Sequence, residues 1–473
     1  MTNRHFFIIA ASLLFGSAAS ETYFGEIHGH TSFSDGRRPA EFYFRFARDK
    51  MKLDFAFIAD HDCGNCLPFD SLTPDAWQRL QAVARKFTRE GSFVAIPGYE
   101  WTWEPDPWTR LNGAVSARGF GHKVVYFRQD VPDIFRAQDR RHDTPDKLAE
   151  ALLAWGGLAH TAHPTPGGRL FEYDPAFDTC FQNCEMADGA AGPNHRWTDF
   201  RSEEAFVLAL KARHHLGIVG GSDTHESLAG CGAKTAVIAP ELTRTAIFDA
   251  LRHRRCYATT RTHLRIAFSI QNHPMGSELL LEGPRPTLLI SATHSVPLRR
   301  VQVLKNGLHV AHEWTDFRQT HLSWQGTWED ANFRNSAWYW VRICQADANG
   351  DGHEELAWTS PIWVYAPKTL RAPLIRGLYV RNAPLLRDQA IEVDLLTALA
   401  SPPSRMRLDL GTQRASLVEW QPVAKGTPLH FPLRIEPGGS PWRAGEVVHL
   451  RLTCTDGLGR TTQLHQSYHV LTP

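Results

Sequence analysis

The run LDFAFIADHD (residues 53–62) decides how this chain is read: an apolar stretch, Phe55 to Ala59, stops on Asp60, His61 and Asp62. A short, unbroken apolar run bounded by polar residues fits a strand buried on both faces. Imidazole and carboxylate stand where that strand ends. The arrangement recurs in SFVAIPGYE (92–100), ending on Glu100, in GGLAHTAH (156–163), ending on His163, and in GIVGGSDTH (217–225), ending on Asp223 and His225. HGHTSFSDG (28–36) adds His28, His30 and Asp35, and FGHKVVYF (120–127) adds His122. Such side chains hold zinc, manganese or iron, and a centre of two or three divalent ions needs about this many.

Helix signals separate the runs. Phe42, Phe46 and Ala47 fall at helical spacing within 39–51. Thr73-Pro74 and Thr144-Pro145 each place a capping residue before a proline at the first helical position, opening helices to about residue 90 and to Gly156-Gly157. Further helices are expected over 203–215 and 243–254, and CFQNCEM (180–186) reads as another strand. The alternation implies an α/β fold with a mostly parallel sheet and crossover helices. So many evenly spaced strands favour a closed or distorted barrel over 21–262, with its chemistry at the C-terminal strand ends.

After Thr262 helical periodicity gives way to alternating strands, as in LRIAFSI, PTLLISATHSV and WYWVRIC. Asn306-Gly307 in VQVLKNGLHVA suits a tight hairpin turn. β-sandwich domains are expected over 263–366 and, past a proline-bounded linker, over 374–473. Asp347, Asn349 and Asp351, with Gly350 and Gly352, resemble the start of a calcium loop. The closing glutamate is replaced by Trp358, so a polar hairpin loop is expected.

With 473 residues and 42% hydrophobic content, about three domains can each bury a core. Lys plus Arg (51) balance Asp plus Glu (50), which leaves no basic field for a nucleic-acid polymer. Arg4-His5, the apolar run Phe6 to Phe15 and small residues up to Ser20 read as an export signal over 1–20, so a periplasmic or secreted location is expected. An uncleaved anchor is the alternative, but no later apolar segment is long enough to span a bilayer. Export would make the eight cysteines disulfide candidates. Cys63 and Cys66 (CGNC) are expected to form a structural disulfide, with each other or with Cys180 or Cys184; a redox role and free thiols are the alternatives.

His28 and His30, two apart on a strand, point the same way and can share one ion. Asp223 and His225 repeat that geometry. His61 is expected to be oriented by Asp60 or Asp62. Glu100 ends an apolar strand, where an unpaired carboxylate is costly. His163 precedes Pro164, which implies extended backbone, while His160 faces elsewhere.

As a set, HGHTSFSDG, IADHD, PGYE, GHKVVYF, AHP and GGSDTH resemble the PHP (polymerase and histidinol phosphatase) superfamily. GSDTH followed by AIFDALRHRRCYATT (246–260) is similar to its exported carbaryl-hydrolase-like (CehA/McbA) branch. The likeness covers roughly residues 22–262 and implies a distorted (βα)7 barrel with two or three metal ions. On that resemblance His28, His30, Glu100 and Asp223 hold one ion, and Glu100 bridges to a second on His122 and His163. A third lies between Asp35, His61 and His225. Asp35 stands where the family often has histidine, which leaves the third ion open, and Glu26 supports the ligands.

Paired cations lower the pKa of a shared water from about 15.7 toward about 7, so hydroxide can attack a small phosphoester without a protein nucleophile. His225 and Asp62 are candidate acids for the leaving group, and Ser32, Ser34 and Ser222 read as structural. Lys123, His195 and Arg196 are candidate substrate contacts, as are Trp101 and Trp103. Two readings stand beside the phosphoesterase. One is a carbamate, carboxyl ester or amide hydrolase on the same metals; the other is a non-catalytic wall- or glycan-binding protein acting through its β domains.

Overall fold

The computed structural model describes residues 20–62, 72–103, 120–164, 180–187, 201–281, 283–317 and 322–366, together with the strands between 374 and 471. Its architecture is β-rich, organised in large sheets. The first seven strands are β1 (Glu21–Glu26), β2 (Phe55–His61), β3 (Val94–Trp103), β4 (Gly121–Phe127), β5 (Gly157–Thr161), β6 (Phe181–Ala187) and β7 (Gly217–Gly220), and they lie side by side in chain order. β1, β2 and β3 pair parallel, as do β5, β6 and β7. β4 is antiparallel to both of its neighbours. Past β7 the backbone returns to the start of the row: His30 N donates to Thr224 O and Asp223 N to His28 O, both at 2.9 Å, around a parallel bridge between Gly29 and Thr224.

Two glycines permit this return. A Cβ on Gly29 would lie 2.6 Å from Tyr43 Oη, and one on Gly221 would lie 2.5 Å from His28 Cβ. Neither contact is tolerable.

The helices are fewer than strict βα alternation requires. Among the described residues α1 (Ala40–Arg45), continued by a π-helical turn, follows β1, and α2 (Pro74–Phe87) follows β2. α3 (Pro145–Trp155) precedes β5, α4 (Arg201–Lys211) precedes β7, and α5 (Arg244–Arg252) follows β8 (Lys234–Ala239). Thr73 and Thr243 cap α2 and α5, accepting from Ala76 N and Ala246 N at 3.1 Å. Thr144 stands at the start of α3 without such a bond, and Gly156 ends that helix at φ 68°. α4 ends earlier than its pattern suggests because the chain turns at Arg213, φ 80°.

β8 pairs antiparallel with β1, and β9 (Cys256–Thr259) with β8. β9 then pairs with the strand Glu355–Thr359, so the sheet runs without a break into the β-rich part. A second, four-stranded sheet contains Arg265–Ile270, Thr287–Thr293 and Ser323–Glu329. The strands Leu298–Lys305 and Val310–Trp314 form the expected hairpin. Lys305 N donates to His309 O at 3.0 Å, so its loop holds three residues rather than two. The strands beyond Leu374 build a three-stranded and a five-stranded sheet. Among the described residues no helix is long and apolar enough to cross a membrane.

Candidate metal centre

His28 and His30 flank Gly29 just past β1, His61 and Glu100 are in register across β2 and β3, and Asp223 and His225 follow β7. These positions crowd the C-terminal rim of the parallel strands. His122 joins them from the start of β4, because that strand runs the other way.

Glu100 is the hub. Its Oε1 lies 2.9 Å from His122 Nδ1, 3.1 Å from His163 Nε2 and 3.6 Å from His28 Nε2. Its Oε2 lies 2.9 Å from His61 Nδ1 and 3.7 Å from His30 Nε2. Asp223 Oδ1 stands 2.9 Å from His30 Nε2 and 3.3 Å from His28 Nε2. Asp35 Oδ2 meets His225 Nε2 at 3.0 Å and His61 Nε2 at 3.6 Å, and its Oδ1 meets His30 Nδ1 at 3.6 Å. Four overlapping groups result whose ligand atoms lie within 4.8 Å of one another: His30, Asp35, His61 and His225; His28, Glu100 and His163; His28, His30 and Asp223; His61, Glu100 and His122. His28 Nε2 and His30 Nδ1 are buried there without a hydrogen bond. Buried imidazole nitrogens left unpaired beside carboxylates are costly unless a cation completes them. The donor set fits divalent metal.

The electrostatics follow from that crowding. Burial alone would raise Glu100, but His122, His61 and His28 outweigh it and hold the carboxyl well below its usual range. Asp35 is likewise raised by burial and pulled down further by the His225 hydrogen bond and by His30 and His61, to about 2. The Asp35 hydrogen bond lifts His225 to about 9. Burial pushes His30 down to about 4.

Two of the gathered residues carry backbone strain. Asp223 has φ 47° and His163 φ 26°, a region L-residues avoid. The extended backbone expected before Pro164 is therefore not formed. His163 N instead donates to Glu185 Oε2 at 2.7 Å.

Several other expectations are corrected. Neither aspartate beside His61 orients it, because alternation along β2 turns them to the opposite side. Asp60 accepts from Thr31 N, Thr31 Oγ1 and Ser34 Oγ, each at 2.7 Å. Asp62 accepts from Thr102 N and Ala137 N, also at 2.7 Å, and burial raises it to about 7. Both its oxygens face backbone amides, which removes it as a leaving-group acid. Thr102 Oγ1, 2.7 Å from His61 Nδ1, takes the orienting place. Lys123 is buried, and Nζ donates to Phe120 O and His122 O rather than facing a substrate. Cys184 is a buried free thiol, and Cys180 is buried with its Sγ 3.4 Å from Ala149 O.

Other assignments keep their sense. Glu26 accepts from the amides of Ile27, His28 and Ser222 through Oε1 and from Gly230 N through Oε2, so it supports the His28 segment. Ser222 Oγ donates to His28 O and Ser34 Oγ to Asp60, both structural contacts. Trp101 is buried in the core. Trp103 meets Phe120 edge-on at 5.1 Å, both packed against the core. His195, Arg196, Cys63 and Cys66 lie outside the described residues.

One residue escaped the sequence reading. Glu185 in β6 is buried, with Oε1 2.8 Å from His28 Nδ1 and 3.2 Å from His160 Nε2. Burial would raise its pKa, yet His28 and His160 hold it far below the usual carboxylate range.

Compared with known proteins, residues 212–316 match the family described as "Protein of unknown function (DUF3604)". An uncharacterized protein of Chlamydia pneumoniae is 22% identical over 400 residues, covering 77% of this chain and 60% of that protein. One of Chlamydia trachomatis is 25% identical over 395 residues, covering 74% and 58%. The chain thus spans about three fifths of the length of these curated relatives. Among solved structures it is similar to a two-domain protein from Bacteroides vulgatus containing a predicted PHP-like metal-dependent phosphoesterase. The TM-score is 0.38 at 15% identity, over 75% of this chain and 98% of that one. A two-domain fibronectin type III segment of chicken tenascin matches 44% of the chain at TM-score 0.17 and 10% identity.

Proposed function

We propose that this chain is an exported metal-dependent hydrolase that cleaves a small phosphoester at a centre of two or three divalent ions. The supporting observation is the convergence of six imidazoles on Glu100, Asp223 and Asp35, with the buried nitrogens of His28 and His30 left without hydrogen bonds. We read β1 to β7, with the last strand returned to the first, as a distorted barrel whose rim carries the site.

His28, His30, Glu100 and Asp223 would hold one ion, Glu100, His122 and His163 a second, and Asp35, His61 and His225 a third. Divalent ions so held supply Lewis acidity and activate water near neutral pH. The chain's own part is to orient. Glu100 presents one oxygen to each side of the centre, Thr102 fixes His61, and Glu26 fixes the His28 segment. Asp35 Oδ2, 3.0 Å from Nε2 of His225, and Asp223 O, 3.0 Å from its Nδ1, aim this most exposed imidazole of the six into the centre.

Hydrolysis of a carbamate or carboxyl ester is the second reading. Lys123 is withdrawn into backbone contacts rather than presented as a cation for a phosphate. Turnover of p-nitrophenyl phosphate, bis-p-nitrophenyl phosphate and 1-naphthyl N-methylcarbamate by the metal-loaded protein separates the two. Phosphoester cleavage supports the first reading, carbamate cleavage alone moves the function to the second, and inertness toward all three contradicts both.

A further inference from the structure

We propose that Glu185 is a positioning residue that aims two separate metal ligands at once, fixing the ring of His28 and the backbone of His163. The inference rests on the metal-centre reading above. Three contacts carry it. Oε1 lies 2.8 Å from His28 Nδ1 and 3.2 Å from His160 Nε2, and Oε2 takes the His163 amide at 2.7 Å.

A carboxylate can only accept, so His28 must keep its proton on Nδ1 and turn the Nε2 lone pair forward. That Nε2 is the buried, unpaired atom 3.3 Å from Asp223 and 3.6 Å from Glu100. The other oxygen stabilises a residue in the left-handed region, φ 26°, from which the His163 ring reaches Glu100 at 3.1 Å. Without that acceptor the His163 amide would be unpaired and its backbone free to relax toward extended conformations.

The surroundings are fitted to this carboxylate. A Cβ on Gly221 would come within 2.8 Å of Glu185 Oε1 and 2.5 Å of His28 Cβ, so the lack of a side chain there makes room for the pair. His160, three residues before His163 in the chain, gives Oε1 its second donor and stays out of the metal groups.

The test uses the full chain and the isosteric variant Glu185→Gln, whose amide cannot accept from both His28 and His163 N. Zinc affinity is read by competition with a chromophoric chelator, and the Co(II)-loaded form by its visible spectrum. An outer carboxylate of this kind is worth about 10- to 100-fold in affinity. The expected result is a loss of that size with a shifted cobalt band, while the far-UV circular dichroism of the metal-free protein is unchanged. Wild-type affinity and spectrum in Glu185→Gln overturn the proposal. A second measurement needs no variant: zinc-loaded wild type should show an exchange-protected Nδ1–H on His28 by NMR, and its absence also overturns the proposal. Failure of the wild type to bind zinc would instead sink the metal-centre reading itself.

Discussion

In the loop after His30 the backbone closes its own turns: Ser34 N and Gly36 N donate to Thr31 O, and Arg37 N donates to His225 O. Asp35 is left to face His30 at the start of the loop and His61 and His225 from two other segments. In the loop 347–352 the aspartate side chain closes the turn instead. Asp347 Oδ1 accepts from Asn349 N and Gly350 N, and Oδ2 from Gly352 N. Asp351 is engaged by His353 N and Arg261. Both loops read as acidic and glycine-containing, yet only one has a carboxylate free for chemistry. The difference lies in where the partners come from: an acidic loop becomes a site when its carboxylate is answered by distant side chains rather than by its own amides.

Replacing both imidazoles beside Gly29, His28→Ala with His30→Ala, should have the largest effect. Three of the four ligand groups lose a donor, the His28, His30 and Asp223 group losing two of its three, and metal retained after dialysis, read by mass spectrometry, should fall to background together with hydrolysis. Unchanged metal content would break the contrast at its root. Asp35→Ala should remove about one ion per chain, since only the His30, His61 and His225 group depends on it. Retention of every ion would place Asp35 with Asp347, as a turn residue. Asp347→Ala should leave the metal ratio untouched and lower the melting temperature slightly. A loss of metal there would restore the calcium-loop reading.

A pH measurement sharpens the contrast for a cation. Lys234 is buried, donates to Arg261 O at 2.8 Å, and is pushed down by that burial to about 8. The folded state thus disfavours its proton relative to the unfolded chain. Stability contributed by this group rises as pH climbs from about 8 to the unfolded value near 10.4, where the unfolded state still binds the proton. Lys234→Met should flatten that rise in melting temperature and leave metal content unchanged. An identical pH profile in the variant would contradict the sign.

Much of the site was legible because its residues announce themselves at strand ends: His61, Glu100, His163 and Asp223 each follow an apolar run. Strand direction was not. His122 was readable as a ligand, but that β4 is reversed depends on pairing with β3, which no local pattern encodes. Orientation was misread for a related reason. Asp60 and Asp62 are neighbours of His61 in sequence, while the partners that reach it, Thr102 and Glu100, come from β3. Glu185 could have been found. It is a lone carboxylate in the buried strand CFQNCEM, and the cost argument that singled out Glu100 applies to it equally. The need for glycine at 29, 36 and 221 is not visible in the sequence: a Cβ on Gly36 would stand 2.3 Å from the His30 carbonyl carbon, and only the folded backbone shows that.

The most direct test is the number of tightly held ions in the full-length protein after loading with zinc or manganese and exhaustive dialysis. Two or three ions per chain, falling to none in the His28→Ala, His30→Ala variant, is the predicted result. No retained metal in the wild type, or equal retention in that variant, would contradict it.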